Sequence, residues 1–129
     1  MNYYSTKLGI GPMRLKTWQN IIANVLMAIF PKANPDFEKK YTDVRLWWLE
    51  LNDSKIPERE IGFDTNGEVI VAAPIGNNYG FWTESTKPVV VDENLTSIDS
   101  SEFQAAWNNF EVRWKESKKS LRWLTRRSS

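Results

Sequence analysis

The segment Glu58-Arg59-Glu60-Ile61-Gly62-Phe63-Asp64-Thr65-Asn66-Gly67-Glu68-Val69-Ile70-Val71-Ala72-Ala73 decides the architecture. Its first half alternates charged with apolar residues, as a half-exposed strand does. Asn66-Gly67 then gives the strongest short hairpin signal, because both residues accept the positive φ angles of a type I′ turn. Val69 to Ala73 returns as the partner strand, and Pro74 ends it. An antiparallel pair over 59–64 and 68–73 is therefore predicted. Asp64-x-Asn66-Gly67 also begins like a calcium loop, but the chain runs straight into Val69-Ile70-Val71 without the further oxygen ligands or closing Glu such a loop needs.

Upstream, Val44-Arg45-Leu46-Trp47-Trp48-Leu49-Glu50-Leu51 is rich in β-formers and predicts a strand. Val44, Leu46 and Trp48 line one face, and Trp47, Leu49 and Leu51 line the other beside Arg45. Two apolar faces imply a central strand covered on both sides. Phe37 to Tyr41 reads as a helical turn behind Asn34-Pro35-Asp36. Further upstream, Leu15, Trp18, Ile22, Val25, Leu26 and Ile29 form one helical stripe after Pro12, and Pro31 stops it, predicting a helix over 13–30. Residues 1–11 read as an arm or a short edge strand.

Downstream, 74–80 is a loop, while Phe81-Trp82-Thr83 and Pro88–Asp92 read as short strands. Phe103, Trp107, Phe110 and Trp114 recur at i, i+4, i+7 and i+11 and predict a final helix over 100–118. Ser101 with Gln104 makes a capping box, and Asp99 with Glu102 offers an alternative register. The fold class expected is α+β: an antiparallel sheet with a central hairpin, covered by N-terminal and C-terminal helices. The 129 residues fit one domain, 1–129, with a basic tail about 119–129.

Composition narrows the chemistry. With no Cys and no His, disulfides, Cys/His zinc sites, thiol nucleophiles and Ser-His-Asp triads are excluded. No cofactor and no metal is expected. The longest apolar run, Ile21 to Phe30, is half the length needed to cross a bilayer and lacks a clean cleavage site behind it, so a cytoplasmic protein without membrane contact is expected. Seventeen Lys+Arg against sixteen Asp+Glu nearly cancel, yet 113–129 carries seven Lys/Arg against Glu116 alone, whereas 1–112 is acidic. Cations at a helix C-terminus explain the tail more simply than nucleic-acid binding does. Glu50, Glu58, Glu60, Asp64 and Glu84 supply carboxylates for acid/base chemistry, but a solvated strand face accounts for Glu58 and Glu60. Asn77-Asn78-Tyr79-Gly80-Phe81-Trp82 places rings and amides in a loop, the residue types that anchor protein–protein contacts.

The run Trp47-Trp48-Leu49-Glu50-Leu51, then Pro57-x-Arg59-Glu60-Ile61-Gly62-Phe63-Asp64-x-Asn66-Gly67-x-Val69-Ile70, then Pro74 and Tyr79-Gly80-Phe81-Trp82-Thr83, resembles small bacterial immunity proteins of polymorphic or contact-dependent toxin systems. The likeness covers about residues 44–84. It implies a non-enzymatic cytoplasmic protein that binds and occludes one cognate toxin domain. Asn77, Asn78, Tyr79 and Trp82, with Glu58, Glu60 and Glu84, are the candidate toxin contacts on the bottom-up reading. The alternatives are a small carboxylate-based hydrolase or ligand-binding module, and a nucleic-acid adaptor using the basic tail.

Overall fold

The computed structural model describes residues 1–7, 35–84 and 87–127. Among these described residues five strands form one sheet: β1 (Asn2–Thr6), β2 (Leu46–Leu51), β3 (Pro57–Phe63), β4 (Val69–Ala73) and β5 (Leu95–Ser97). Their order is β4-β3-β2-β1-β5, with every neighbouring pair antiparallel. A 3-10 helix over Glu38–Asp43 leads into β2, and the helix α1 (Ser100–Arg127) follows β5. Sheet and C-terminal helix together are the α+β arrangement expected. The predicted helix over 13–30, Trp18 included, lies outside the described residues. No helix among the described residues is long and apolar enough to cross a membrane.

Register sorts the side chains onto two faces, because cross-strand partners share a face. Tyr3, Glu50 and Arg59 are opposite one another on one of them. There α1 brings Phe103 to 5.1 Å from the Tyr3 ring and sets Phe103 and Trp107 over the Arg59 guanidinium. Trp47, Leu49, Glu60, Gly62 and Val71 share the second face. Tyr41 from the 3-10 helix and Phe81 both meet the Trp47 ring on that side, Phe81 in a stack at 5.7 Å. A Cβ on Gly62 would collide with Val71, Val44 and Trp47, so only glycine allows this layer to close. β2 is thus central, as predicted, with Trp47, Leu49 and Leu51 of one stripe buried and Leu46 of the other half-buried. Val44, however, precedes the strand and packs on the Trp47 side, and Trp48 is only half-buried against Phe63.

Several other expectations are corrected. β1 is not an edge strand: it pairs with β2 on one side and β5 on the other. Neither Phe81–Thr83 nor Pro88–Asp92 joins a ladder, and the fifth strand lies further on, at Leu95–Ser97. At the hairpin, Asn66 keeps a negative φ and Gly67 alone is positive, at 76°. Gly67 N–H donates to the Asp64 carbonyl and Asp64 N–H to the Glu68 carbonyl. That is a type I turn closed by a glycine bulge rather than a type I′ turn. The Asp64 carboxylate stabilises it by accepting from Asn66 N–H and Glu68 N–H, both at 2.9 Å.

Helix α1 begins in the alternative register. Asp99, not Ser101, is the cap: its carboxylate accepts from the Ser101 N–H at 2.9 Å and the Ser101 hydroxyl at 3.0 Å. These donors hold the Asp99 carboxyl below its ordinary range. The helix also runs well past 118, so the basic stretch 119–127 is helical. Phe103, Trp107 and Phe110 are buried along one stripe. Trp107→Ala is expected to cost roughly 3–5 kcal/mol, the usual range for deleting a buried large ring. A urea melt showing a loss below about 1 kcal/mol would mean that this stripe does not hold the helix to the sheet.

Candidate functional site

The chain leaves β4 through Pro74 and crosses to the second face in a loop, 74–84, whose two ends are fastened by buried polar side chains. At the first end, Ile75 and Asn78 exchange backbone hydrogen bonds around Gly76, which takes a φ of 55°. The Asn78 side chain is 1% exposed. Its amide donates to the Ile75 carbonyl at 3.1 Å and to the Asp36 carboxylate at 2.8 Å, and its oxygen accepts from Asp36 N–H at 3.0 Å. Lys118 of α1 completes the knot with a 2.6 Å bond to the other Asp36 oxygen. Partial burial alone would raise the Asp36 carboxyl, but the Lys118 and Asn78 donors outweigh it and hold the group below its usual range.

At the second end stands Glu60, fully buried on β3. Its carboxylate accepts from three successive backbone N–H groups, Phe81 at 2.9 Å, Trp82 at 2.6 Å and Thr83 at 2.9 Å, and from the Thr83 hydroxyl at 3.2 Å. The Thr83 hydroxyl also makes a short contact with the Tyr79 carbonyl. Gly80 takes a φ of 99°, and a Cβ there would strike Thr83, Glu60 and Ala73. Only glycine lets the loop approach the carboxylate this closely. Burial pushes the Glu60 carboxyl up to about 7, against the pull of the three backbone donors and the Thr83 hydroxyl.

Beside these fastenings the loop alternates buried with exposed residues. Asn77 is exposed, and Tyr79 is 62% exposed, among the most open large side chains of the described residues. Phe81 turns inward onto Trp47 and Tyr41. Trp82 sits edge-on to Phe81 and, with Pro57, Pro88, Val89 and Val90, lines a groove of about 370 Å³. Glu58 is exposed at the start of β3 and accepts from the Asn52 amide at 2.8 Å, and Glu84 is exposed just beyond Trp82.

Of the seven candidate contacts, five are therefore on or near the surface: Asn77, Tyr79, Trp82, Glu58 and Glu84. Asn78 and Glu60 are buried instead, as the fastenings that shape the loop. The alternation of β3 suggested a solvated Glu60, but its face is roofed by the loop itself. A signal for this was present: a partner strand of the doubly apolar β2 must also be covered, so one of its adjacent charges, Arg59 or Glu60, faces inward on each side.

The remaining carboxylates are engaged elsewhere. Glu50 lies on the opposite face from Glu60, so the two do not form a catalytic pair. Arg59 grips Glu50 in a fork, Nε to Oε1 at 2.8 Å and Nη2 to Oε2 at 2.7 Å, and Tyr3 donates to Glu50 at 2.8 Å. Arg59 and then Tyr3 outweigh desolvation and hold Glu50 below the normal carboxylate range. Arg59 and Tyr3, neither singled out as a contact by sequence, are the polar centre of the helix-facing side. No family model, curated protein or solved structure matches the chain.

Proposed function

We propose that the chain is a non-enzymatic, cytoplasmic immunity-type protein that neutralises a bacterial toxin domain by binding and occluding it, with the 77–84 loop as the centre of its contact surface. The observation that carries this reading is Tyr79, 62% exposed in a loop pinned at Asn78 and at Glu60. A large ring carried on a backbone already fixed before the partner arrives spares the ordering cost of the loop on binding, which favours an anchor residue. Trp82 extends the surface into the neighbouring groove, and Glu58 and Glu84 flank it with negative charge. Such rim charges act mainly on association rate and salt dependence.

The test is co-expression with the toxin domain encoded in the adjoining reading frame. Hosts carrying the parent chain are expected to survive, and those carrying Tyr79→Ala/Trp82→Ala to die although the variant stays folded. Truncating a true anchor costs at least about 2 kcal/mol of binding. Survival with the double variant would move the contact surface elsewhere, and death with the parent chain against every adjoining candidate would end the immunity reading. Arg113, Lys115 and Lys119 are exposed on α1, so gel retardation with DNA and RNA is the companion measurement. Salt-sensitive retardation at physiological ionic strength would favour the nucleic-acid adaptor instead.

A further inference from the structure

Resting on the binding reading above, we propose that the Pro88–Asp92 strap is an open β-edge that takes up an extended, basic segment of the partner protein as an added strand. Pro88-Val89-Val90-Val91 has the composition of a strand but joins no ladder. It is fixed at Val89, whose N–H donates to the Lys55 carbonyl at 2.9 Å, and a turn follows where Leu95 N–H meets the Asp92 carbonyl at 3.1 Å. Among the described residues, Val90 and Val91 have no backbone hydrogen-bond partner. Their side chains are 74% and 40% exposed, an unusual setting for two adjacent β-branched residues. An extended chain laid beside them would satisfy the outward-facing half of those backbone groups, which is how strand addition gains affinity.

The groove supplies the side-chain half of the recognition. Pro57, Phe81, Trp82 and Pro88 wall it beside Val89 and Val90, so alternate side chains of an added strand would rest on aromatic and proline surface. Charge selects the sign of the others. Asp92 and Lys87 line the groove and offset each other, while Glu58, Glu84 and Glu93 are exposed within two positions of the lining residues Pro57, Trp82 and Asp92, against Lys55, so the balance of nearby charge is negative. Lys or Arg at the outward positions of the incoming segment complements that charge, whereas an acidic segment is repelled. The occupant fitted is thus an extended run alternating apolar β-formers with basic residues.

A random linear peptide library displayed on phage, panned against the full chain, tests the surface without knowledge of the toxin. Enriched peptides are expected to alternate apolar and basic residues, and synthetic copies to lose affinity as salt is raised. Amide resonances of Val89–Asp92 should shift on binding. Along an edge only alternate N–H groups point outward, so either Val90→Pro or Val91→Pro should weaken binding by about tenfold or more at unchanged melting temperature. No enrichment, enrichment of acidic or helical sequences, or full affinity in both proline variants would overturn the proposal. Host protection in the co-expression test is read separately. If a proline variant protects fully while peptides fail to bind, the groove falls and the immunity reading stands. If peptides bind as described but no toxin is neutralised, the reverse holds.

Discussion

An Arg59→Ala variant is expected to unfold with roughly 3–5 kcal/mol less free energy than the parent chain, the cost of stranding one member of a buried ion pair. Glu50 has a side chain only 6% exposed, and Arg59 supplies both bonds of its fork. Without the guanidinium, Glu50 keeps the Tyr3 hydroxyl alone. Phe103 and Trp107 also lose the flat cation lying 5.1 and 4.9 Å from their ring centres. Arg59→Lys retains the charge but neither the fork nor the stack, so an intermediate loss is expected. A double variant, Glu50→Leu/Arg59→Met, should recover most of the loss, because no charge is then left buried. Denaturant melts of the singles and the double give the coupling directly. Losses in the double equal to the sum of two large single losses would show that the pair does not act as a unit.

Glu60 is expected to give the protein a pH dependence of opposite sign to that of its other buried carboxylate. Its carboxyl rises from 4.5 to about 7 on folding, so the folded state holds a proton that the unfolded chain has released. Stability from this group is fully present below about pH 4.5 and is lost as pH rises through about 7. At 1.36 kcal/mol per pH unit, a difference of about 2.5 units corresponds to about 3 kcal/mol between pH 4.5 and pH 8. Glu50, held below its ordinary value, works the other way: its contribution stands at neutral pH and is lost only in acid, as pH falls through its folded value. Comparing urea melts of the parent chain and Glu60→Gln at pH 5 and pH 8 separates the two. Relative to Glu60→Gln, the parent should be more stable at pH 5 than at pH 8, and an equal or reversed difference would show the carboxylate to be ionised throughout. Glu60→Leu removes the acceptor of three part-buried N–H groups, each a loss of up to about 1–3 kcal/mol.

How far the sequence could be read depended on the period of each element. β2, β3 and β4 were legible because two-residue alternation and a Gly turn survive in any context. Phe103, Trp107 and Phe110 were legible for the same reason at helical spacing. β5 was not: in three residues only Leu95 is buried, which leaves no period to detect. Val89–Val91 has stronger β propensity than β5 yet stays outside the sheet, since propensity describes a surface that fits a neighbour and none of the described residues supplies one. β1 carries two Tyr among polar residues, and its interior place depends on pairings with strands far along the chain. For the site, the exposed Tyr79 followed from loop composition. The roles of Asn78 and Glu60 did not, because burial of a polar side chain depends on what folds over it, and here that cover comes from other segments of the chain.

The interior place of β1 sets an order of events for a chain made from one end. Tyr3 reaches Glu50 across 47 positions and Ser5 reaches Thr96 across 91. On the ribosome, β1 emerges before either of the strands that flank it, whereas β2, β3 and β4 follow one another and can form a meander at once. Until β1 docks, the Leu46–Leu51 edge of that meander, Leu-Trp-Trp-Leu-Glu-Leu, is an open apolar strand. Contacts this distant place the domain among those that fold in milliseconds to seconds rather than microseconds. Overexpression is therefore expected to yield insoluble nascent chains well before the finished fold reaches its thermal limit, and slower translation or added holding chaperones should recover them.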